Sequence, residues 1–357
     1  MQLEREIRLP DGRRLGFAEF GHPGGQPLIG IHGGLSCRLE GIPCEECCLE
    51  LGIRLILPDR PGIGRSDPQP QRQLLDWPND LFALADALGL SRFALYGWSA
   101  GGPYALACAL RNPERLTHVA SVAGIAPLTH PKALSRLGLA ADRLLFRLCR
   151  TSPGSAAALL SLARLRRPGA TRRQLLRALE RSGDPDAQLL AELEPGLLTA
   201  SFYEAMRSGT HGTALDYALL AREWGFGLSD VPLPVEVWHG EEDGLVPVRH
   251  AHRLARALPG ARLVLVPGRG HFLPWLHCRS LFASLLASAQ AVPLLGARRA
   301  TGQAPAGEPD PRPRQRAHDR ELQGVLPIDA WVRPTPLYAT VFATPAGSSP
   351  NASRPQR

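Results

Sequence analysis

The chain of 357 residues reads as an α/β protein, a mostly parallel central sheet flanked by helices with a helical insertion. Three observations predict this. Short apolar runs alternate with helix-like runs over residues 1–126 and again over 232–291, the pattern of strands joined by crossover helices. A long helical stretch punctuated by proline, 127–231, separates these two regions. Between an apolar run at 92–96 and a helix-like run at 102–110 lies Gly97-Trp98-Ser99-Ala100-Gly101, a serine at the tip of a tight turn flanked by glycines.

The elements follow in order. Residues 4–20 read as two antiparallel strands joined at Pro10-Asp11-Gly12, where Pro presets φ and Gly accepts a positive one. The strand Leu28-Ile29-Gly30-Ile31 runs into His32-Gly33-Gly34, and the strand at 53–57 runs into Asp59-Arg60-Pro61-Gly62-Ile63-Gly64-Arg65-Ser66. A further strand lies at 119–123. Helical periodicity then covers 134–150, 155–166, 171–181, 187–198, 201–208 and 213–224. The Leu- and Arg-rich runs 160–167 and 172–177 read as insertion helices with Leu inward and Arg solvated. Contact with an anionic lipid surface or a carboxylate-bearing substrate is the rival reading. The strand at 234–240 leads to a loop with Glu241, Glu242 and Asp243, and the strand at 261–267 leads to Gly268-Arg269-Gly270-His271. Between them, 249–257 reads as an exposed helix that places His250 and His252 on the surface. Residues 279–289 supply a last helix. From 292 to 357 Pro, Arg, Ala, Gly and Ser dominate, and this tail is expected to be disordered, although 326–344 is more apolar.

A serine is a poor nucleophile at neutral pH and needs a positioned base, itself held in one tautomer by a carboxylate. Ser99, Asp243 and His271 all fall on loops at strand ends, where such folds carry catalytic groups. Glu241 and Glu242 are rivals for the acid, and His239, His250 and His252 for the base. His239 ends a strand and reads as a packing residue, and no acid stands between Val119 and Pro131.

Five motifs in this order, over about residues 4–290, resemble the α/β-hydrolase fold superfamily, serine hydrolases and esterases. The resemblance implies an acyl-enzyme route with Ser99 as nucleophile, His271 as base and then acid, and Asp243 as its orienting carboxylate. It also implies oxyanion donors from the backbone N–H groups of Ala100 and Gly34. His32 is expected to shape the oxyanion loop, and Asp59 and Arg60 to tie loops together. Leu35 and Trp98 are candidate pocket residues, with plain packing the alternative. In position the segment 127–231 matches the cap of such hydrolases.

The expected activity is hydrolysis of a small to medium carboxylic ester, with no metal and no cofactor. An aminopeptidase resembling the proline iminopeptidases is an alternative, although their Pro-Gly after the Gly pair is Leu35-Ser36 here. A carbon–carbon bond hydrolase, a cofactor-free perhydrolase and a non-catalytic binder are the others. Epoxide hydrolases and haloalkane dehalogenases are disfavoured, because Ser99 stands where they use Asp.

The net charge is +8, yet only Lys132 is a lysine. The excess is local: fourteen basic against ten acidic residues in 127–231, and nine against five in 292–357. No nucleic-acid motif accompanies it, so a small-molecule partner is expected and no nucleic acid. Residues 1–10 are charged and lack an apolar core, and no run suits a bilayer span, so a cytoplasmic protein without stable membrane insertion is expected. The odd count of seven cysteines argues against a disulfide framework. Cys44, Cys47 and Cys48 form a C-x-x-C-C with no second ligand pair nearby, and a partly buried helix is preferred to a metal site.

Overall fold

The computed structural model describes residues 1–130, 133–187, 190 and 196–287. The strands β1 (Gln2–Arg8), β2 (Arg14–Gly21), β3 (Gln26–Ile31), β4 (Ile53–Pro58), β5 (Phe93–Trp98), β6 (Leu116–Val122), β7 (Glu236–Gly240) and β8 (Arg262–Val266) form one sheet. Its order is β1-β2-β4-β3-β5-β6-β7-β8. The β1–β2 and β2–β4 pairs are antiparallel and the remainder parallel. Central strands β5 and β7 are buried along their whole length; β5 is a continuous apolar run rather than an alternation, while β7 carries Glu236 and His239, each hydrogen-bonded inside the fold. Edge strand β1 alternates exposed and half-buried residues, and its Glu and Arg side chains guard the free edge.

In chain order the helices are α1 (Glu45–Glu50), α2 (Trp77–Ala87), α3 (Gly102–Arg111), α4 (Ala140–Thr151), α5 (Pro153–Arg164), α6 (Pro168–Ser182), α7 (Leu197–Ala205), α8 (His211–Leu220), α9 (Arg249–Ala257), α10 (Leu273–Leu276) and α11 (Cys278–Ala287). Helix α3 lies fully buried through Ala105, Leu106, Ala107, Cys108 and Ala109. Mostly small side chains there let it press against β5 and β6 and fix the turn from which it springs. The chain crosses from β4 to the far side of β3 before forming β5. The carboxyl ends of β3 and β5 therefore lie side by side at a topological switch point, where crevices form in open α/β sheets.

Helices α4 to α8 form the insertion between β6 and β7. The expected helix at 134–150 is broken: a short turn at Leu134–Arg136 precedes α4. The break falls at Gly138, whose N–H donates to the Leu245 carbonyl at 2.9 Å and whose missing Cβ lets Gly244 come close. The expectation that Leu points inward holds for Leu160, 5% exposed, and fails for Leu162 and Leu165, 64% and 81% exposed. Helical geometry explains this, since Ala156, Ala157 and Leu160 make the covered face and positions 162 and 165 fall opposite it. His250 also corrects its expectation. It shares the covered face of α9 with Ala251 and Leu254, and its Nδ1 accepts the Ala126 N–H at 3.1 Å. Burial, with help from His239 and Arg249, pushes its pKa down to about 4 and keeps it neutral. All seven cysteines are free thiols and six are buried. The expected helical run at 187–198 falls largely outside the described residues, as does the tail from 292.

Candidate active site

At the end of β5 the backbone turns sharply and Ser99 takes φ +54°, a left-handed value that L residues avoid. A Cβ at Gly97 would overlap the Gly101 carbonyl, and one at Gly101 would overlap the Ile31 carbonyl. Strain of this kind persists only where the surroundings over-determine it. Here α3, β3 and the Ile125 N–H, which donates to the Ser99 carbonyl at 3.3 Å, hold the turn. Ser99 stands partly exposed while Trp98 and Ala100 on either side are buried.

Asp243 and His271 come together on the loops after β7 and β8. His271 Nδ1 lies 2.8 Å from Asp243 Oδ2, and Asp243 Oδ1 accepts the N–H groups of Leu245 and Val246 at 2.9 and 2.8 Å. Burial alone would raise the Asp243 pKa, but the facing His271, with His239, outweighs it and holds the carboxyl below the usual range. Burial likewise works against a charged His271, yet the Asp243 charge and hydrogen bond prevail and raise its pKa. Glu241 and Glu242 are not in this contact. His239, expected to pack, does so fully buried, and its Nε2 also sits 3.2 Å from Asp243 Oδ2 and 2.6 Å from the Val246 carbonyl.

The main chain of His271 is tied to the elbow: Trp98 Nε1 donates to its carbonyl at 3.0 Å. The Trp98 ring packs against the rings of His271, Phe272 and Trp275, with centroids 5.9, 5.4 and 5.4 Å away. Among the described contacts Ser99 and His271 share no direct hydrogen bond. Such bonds often tighten only with substrate in place.

The loop after β3 is built to present one amide. His32 is neutral because burial, then the Arg60 charge, pushes its pKa well down. Its Nε2 accepts the Arg60 backbone N–H at 3.2 Å, so Nδ1 carries the proton and donates to the Gly33 carbonyl at 2.9 Å. The Arg60 guanidinium donates to the carbonyls of His32 and Gly33. The Gly33 N–H is taken by buried Glu40 at 3.1 Å, while the N–H of Gly34 has no partner among the described residues. A Cβ at Gly34 would overlap the hydroxyl of Tyr217, from α8. Leu35 follows at φ +53°, half-buried against the core. Burial pushes the Glu40 carboxyl up to about 7, against the Ser36 and Gly33 hydrogen bonds.

Several neighbours of this site escaped sequence reasoning. Asp216 of α8 accepts from Arg60 Nε at 2.9 Å, Arg72 Nη2 at 2.6 Å and the Tyr104 hydroxyl at 2.7 Å, all buried. Asp59 accepts the Arg38 backbone N–H and side chain at 2.7 and 2.9 Å, and Arg38 reaches Glu204 of α7 at 2.8 Å. Half-buried Asp142 lies on α4 one turn before Phe146, whose ring is 4.7 Å from that of Tyr217. Withdrawal from water pushes the Asp142 carboxyl up to about 6, opposed by His271 and Arg143. Asp59 and Arg60 were expected to tie loops together and make these bonds; no local signal marks Asp216, Arg38, Glu204 or Asp142, because each meets its partner only through the fold. A separate open cavity of about 410 Å³ beside Trp224, Phe226 and Leu228 contains none of the expected site residues. Among the described residues no group of three or more His, Cys, Asp or Glu could hold a metal ion, and no helix is long and apolar enough to cross a membrane.

This sheet, with a strained serine after β5 and a His–Asp pair after β8 and β7, defines an α/β hydrolase. The chain belongs to the alpha/beta hydrolase fold family, whose family model matches residues 26–277. Among curated relatives, a proline iminopeptidase of Xylella fastidiosa is 27% identical over 300 residues, 73% of this chain and 88% of that protein. A 2-hydroxy-6-oxo-6-phenylhexa-2,4-dienoate hydrolase of Burkholderia cepacia is 29% identical over 237 residues, 63% of this chain and 73% of that one. An esterase of Exiguobacterium antarcticum has a similar structure, with TM-score 0.60 at 20% identity, covering 80% of this chain and 99% of that one.

Proposed function

We propose that this protein is a serine hydrolase that cleaves a small to medium carboxylic ester through an acyl-enzyme. The observation that carries the reading is Ser99 at φ +54° on the strand-to-helix turn, with the His271–Asp243 pair joined at 2.8 Å on the neighbouring loops. The raised His271 pKa suits a group that must gain a proton during the reaction.

His271 Nε2 takes the Ser99 proton as Ser99 Oγ bonds to the ester carbonyl carbon. The oxygen that becomes negative is met by the N–H groups of Ala100 and Gly34, the latter without a partner among the described residues. Asp243 holds the imidazole in the Nδ1–H tautomer and stabilises its cation. The tetrahedral species collapses, the C–O bond to the alcohol breaks, and His271 returns the proton to the departing alkoxide. Water then repeats the sequence on the acyl-enzyme and releases the acid. The helical insertion acts as a cap that excludes bulk water and, through Tyr217 and Phe146, shapes the pocket beside Gly34.

One observation favours a second reading, an aminopeptidase resembling the proline iminopeptidases: Asp142 places a carboxylate within electrostatic reach of His271, suited to a substrate ammonium group. A fluorophosphonate probe applied to wild type and Ser99→Ala, followed by a chain-length series of p-nitrophenyl esters, tests the main reading. Labelling and turnover that depend on Ser99 are expected, and a folded wild type that does neither overturns it. Faster cleavage of a prolyl p-nitroanilide than of any ester, lost in Asp142→Asn, would promote the second.

A further inference from the structure

The loop that carries His271 is short, with Gly268 and Gly270 flanking Arg269. Two buried carboxylates from the insertion hold it. Helix α6 ends at Gly183, at φ +72°, and the chain enters Asp184-Pro185-Asp186, where Pro185 fixes the backbone between the two acids. Asp184 Oδ1 accepts the Asp186 N–H at 3.0 Å, which sets the turn. Its Oδ2 accepts the N–H groups of His271, at 3.2 Å, and Gly244, at 3.3 Å. Asp186 Oδ2 accepts those of Gly270 and Phe272, at 3.2 and 3.0 Å. Three successive amides of the His271 loop and one of the Asp243 loop thus converge on two side chains from another part of the fold.

The fit is close. A Cβ at Gly270 would overlap Asp184 Oδ1. Asp184 is 3% exposed and Asp186 is not exposed at all, an expensive place for two carboxylates unless hydrogen bonds compensate. Burial accordingly pushes the Asp184 carboxyl up to about 6. The Asp186 and Asp243 charges add to this, while the Asp186 N–H and His271 oppose it. His271 is gripped at both ends of its backbone, by Trp98 of the core at its carbonyl and by Asp184 of the insertion at its N–H.

We infer that Asp184 and Asp186 are positioning residues for the candidate catalytic loops, so that the His271–Asp243 pair is aligned only while the insertion is seated. As to rate, this rests on the serine-hydrolase reading; as to alignment it does not. The chemistry of the two sites makes a sharp distinction. Both oxygens of Asp184 face N–H donors, so either orientation of an asparagine amide sets its NH₂ against one of them. Asp186 Oδ1 has no hydrogen-bond partner among the described residues, so an asparagine there can direct its oxygen to the two loop amides and its NH₂ to the vacant side.

The test compares Asp184→Asn, Asp186→Asn and Asp186→Ala with wild type in ester kcat and KM. It also follows the downfield proton NMR signal of the His271 Nδ1–H in the bond to Asp243, with thermal unfolding to confirm the fold. Asp184→Asn and Asp186→Ala are expected to lower kcat about 10²-fold with little change in KM, as for a displacement of about 1 Å, and to shift or broaden the signal. Asp186→Asn is expected to retain both. A folded Asp184→Asn with kcat within about 2-fold of wild type and an unmoved signal overturns the inference. If Asp184→Asn does not fold, the Asp186 pair decides, and equal effects of Asn and Ala there overturn it. If wild type has no esterase activity, the ester-hydrolase reading fails, while the NMR comparison still decides this one.

Discussion

Under the proposed chemistry, His271 must be neutral to accept the Ser99 proton. Asp243 raises its pKa against the effect of burial, so the acid limb of kcat/KM is expected above the ordinary histidine value of 6.5. Activity then falls as the pH drops through that limb. Asp243→Asn removes the raising charge and frees the wrong tautomer; a pH–rate profile is expected to show kcat down about 10⁴-fold and the limb moved to lower pH. At Gly34 a methyl group meets the Tyr217 hydroxyl. Gly34→Ala is expected to disturb the free N–H and lower kcat about 10²-fold without loss of labelling at long times, with partial recovery in Gly34→Ala/Tyr217→Phe. Glu40 reports on linkage. Its folded pKa of about 7 exceeds the ordinary 4.5, so the native state holds the proton more tightly than the unfolded chain. Ionising Glu40 therefore costs stability as pH rises from about 4.5 through about 7. The neutral Glu40→Gln escapes this cost, and its Tm relative to wild type is expected to improve between about pH 5 and 8.

At the scale of elements, the sequence exposes what repeats locally and hides what meets across distance. The strands and α3 were legible because buried strands are continuous apolar runs and their loops carry Gly-rich turns. Ser99, Asp243 and His271 stood out as candidates because each lies on a loop just past a strand, with the family resemblance choosing Asp243 over Glu241 and Glu242. The bonds of Asp184, Asp186 and Asp216 were not legible. Their partners lie scores of residues away, and an aspartate in a helical region looks the same whether solvated or buried. His250 misled for a related reason: Arg249-His250-Ala251-His252-Arg253 is polar enough to suggest a free surface, and only the packing of Ala251 and Leu254 turns His250 inward. Helix α8 joins the core through Asp216, which is shared by two buried guanidinium groups. Asp216→Ala leaves Arg60 and Arg72 buried without their counter-charge and is expected to cost about 3–5 kcal/mol in chemical denaturation, far above a surface pair.

Across residues 1–287, the insertion and the sheet are bound by ion pairs from α7 and α8 and by carboxylate–amide contacts after α6. They are therefore expected to unfold together. Calorimetry should give one cooperative transition, and Asp216→Ala should lower its midpoint without splitting off an earlier one. The same Asp216 anchor bears on how a substrate enters. Lifting α8 as a unit would strand two guanidinium groups in an apolar interior, so the roof beside Ser99 behaves as a fixed ceiling. Substrate entry is then expected on the side of α5 and α6, where Leu162 and Leu165 face solvent. Hydrogen exchange is then expected to be as slow in α8 as in the sheet and markedly faster in α5 and α6, marking the side from which the site is entered.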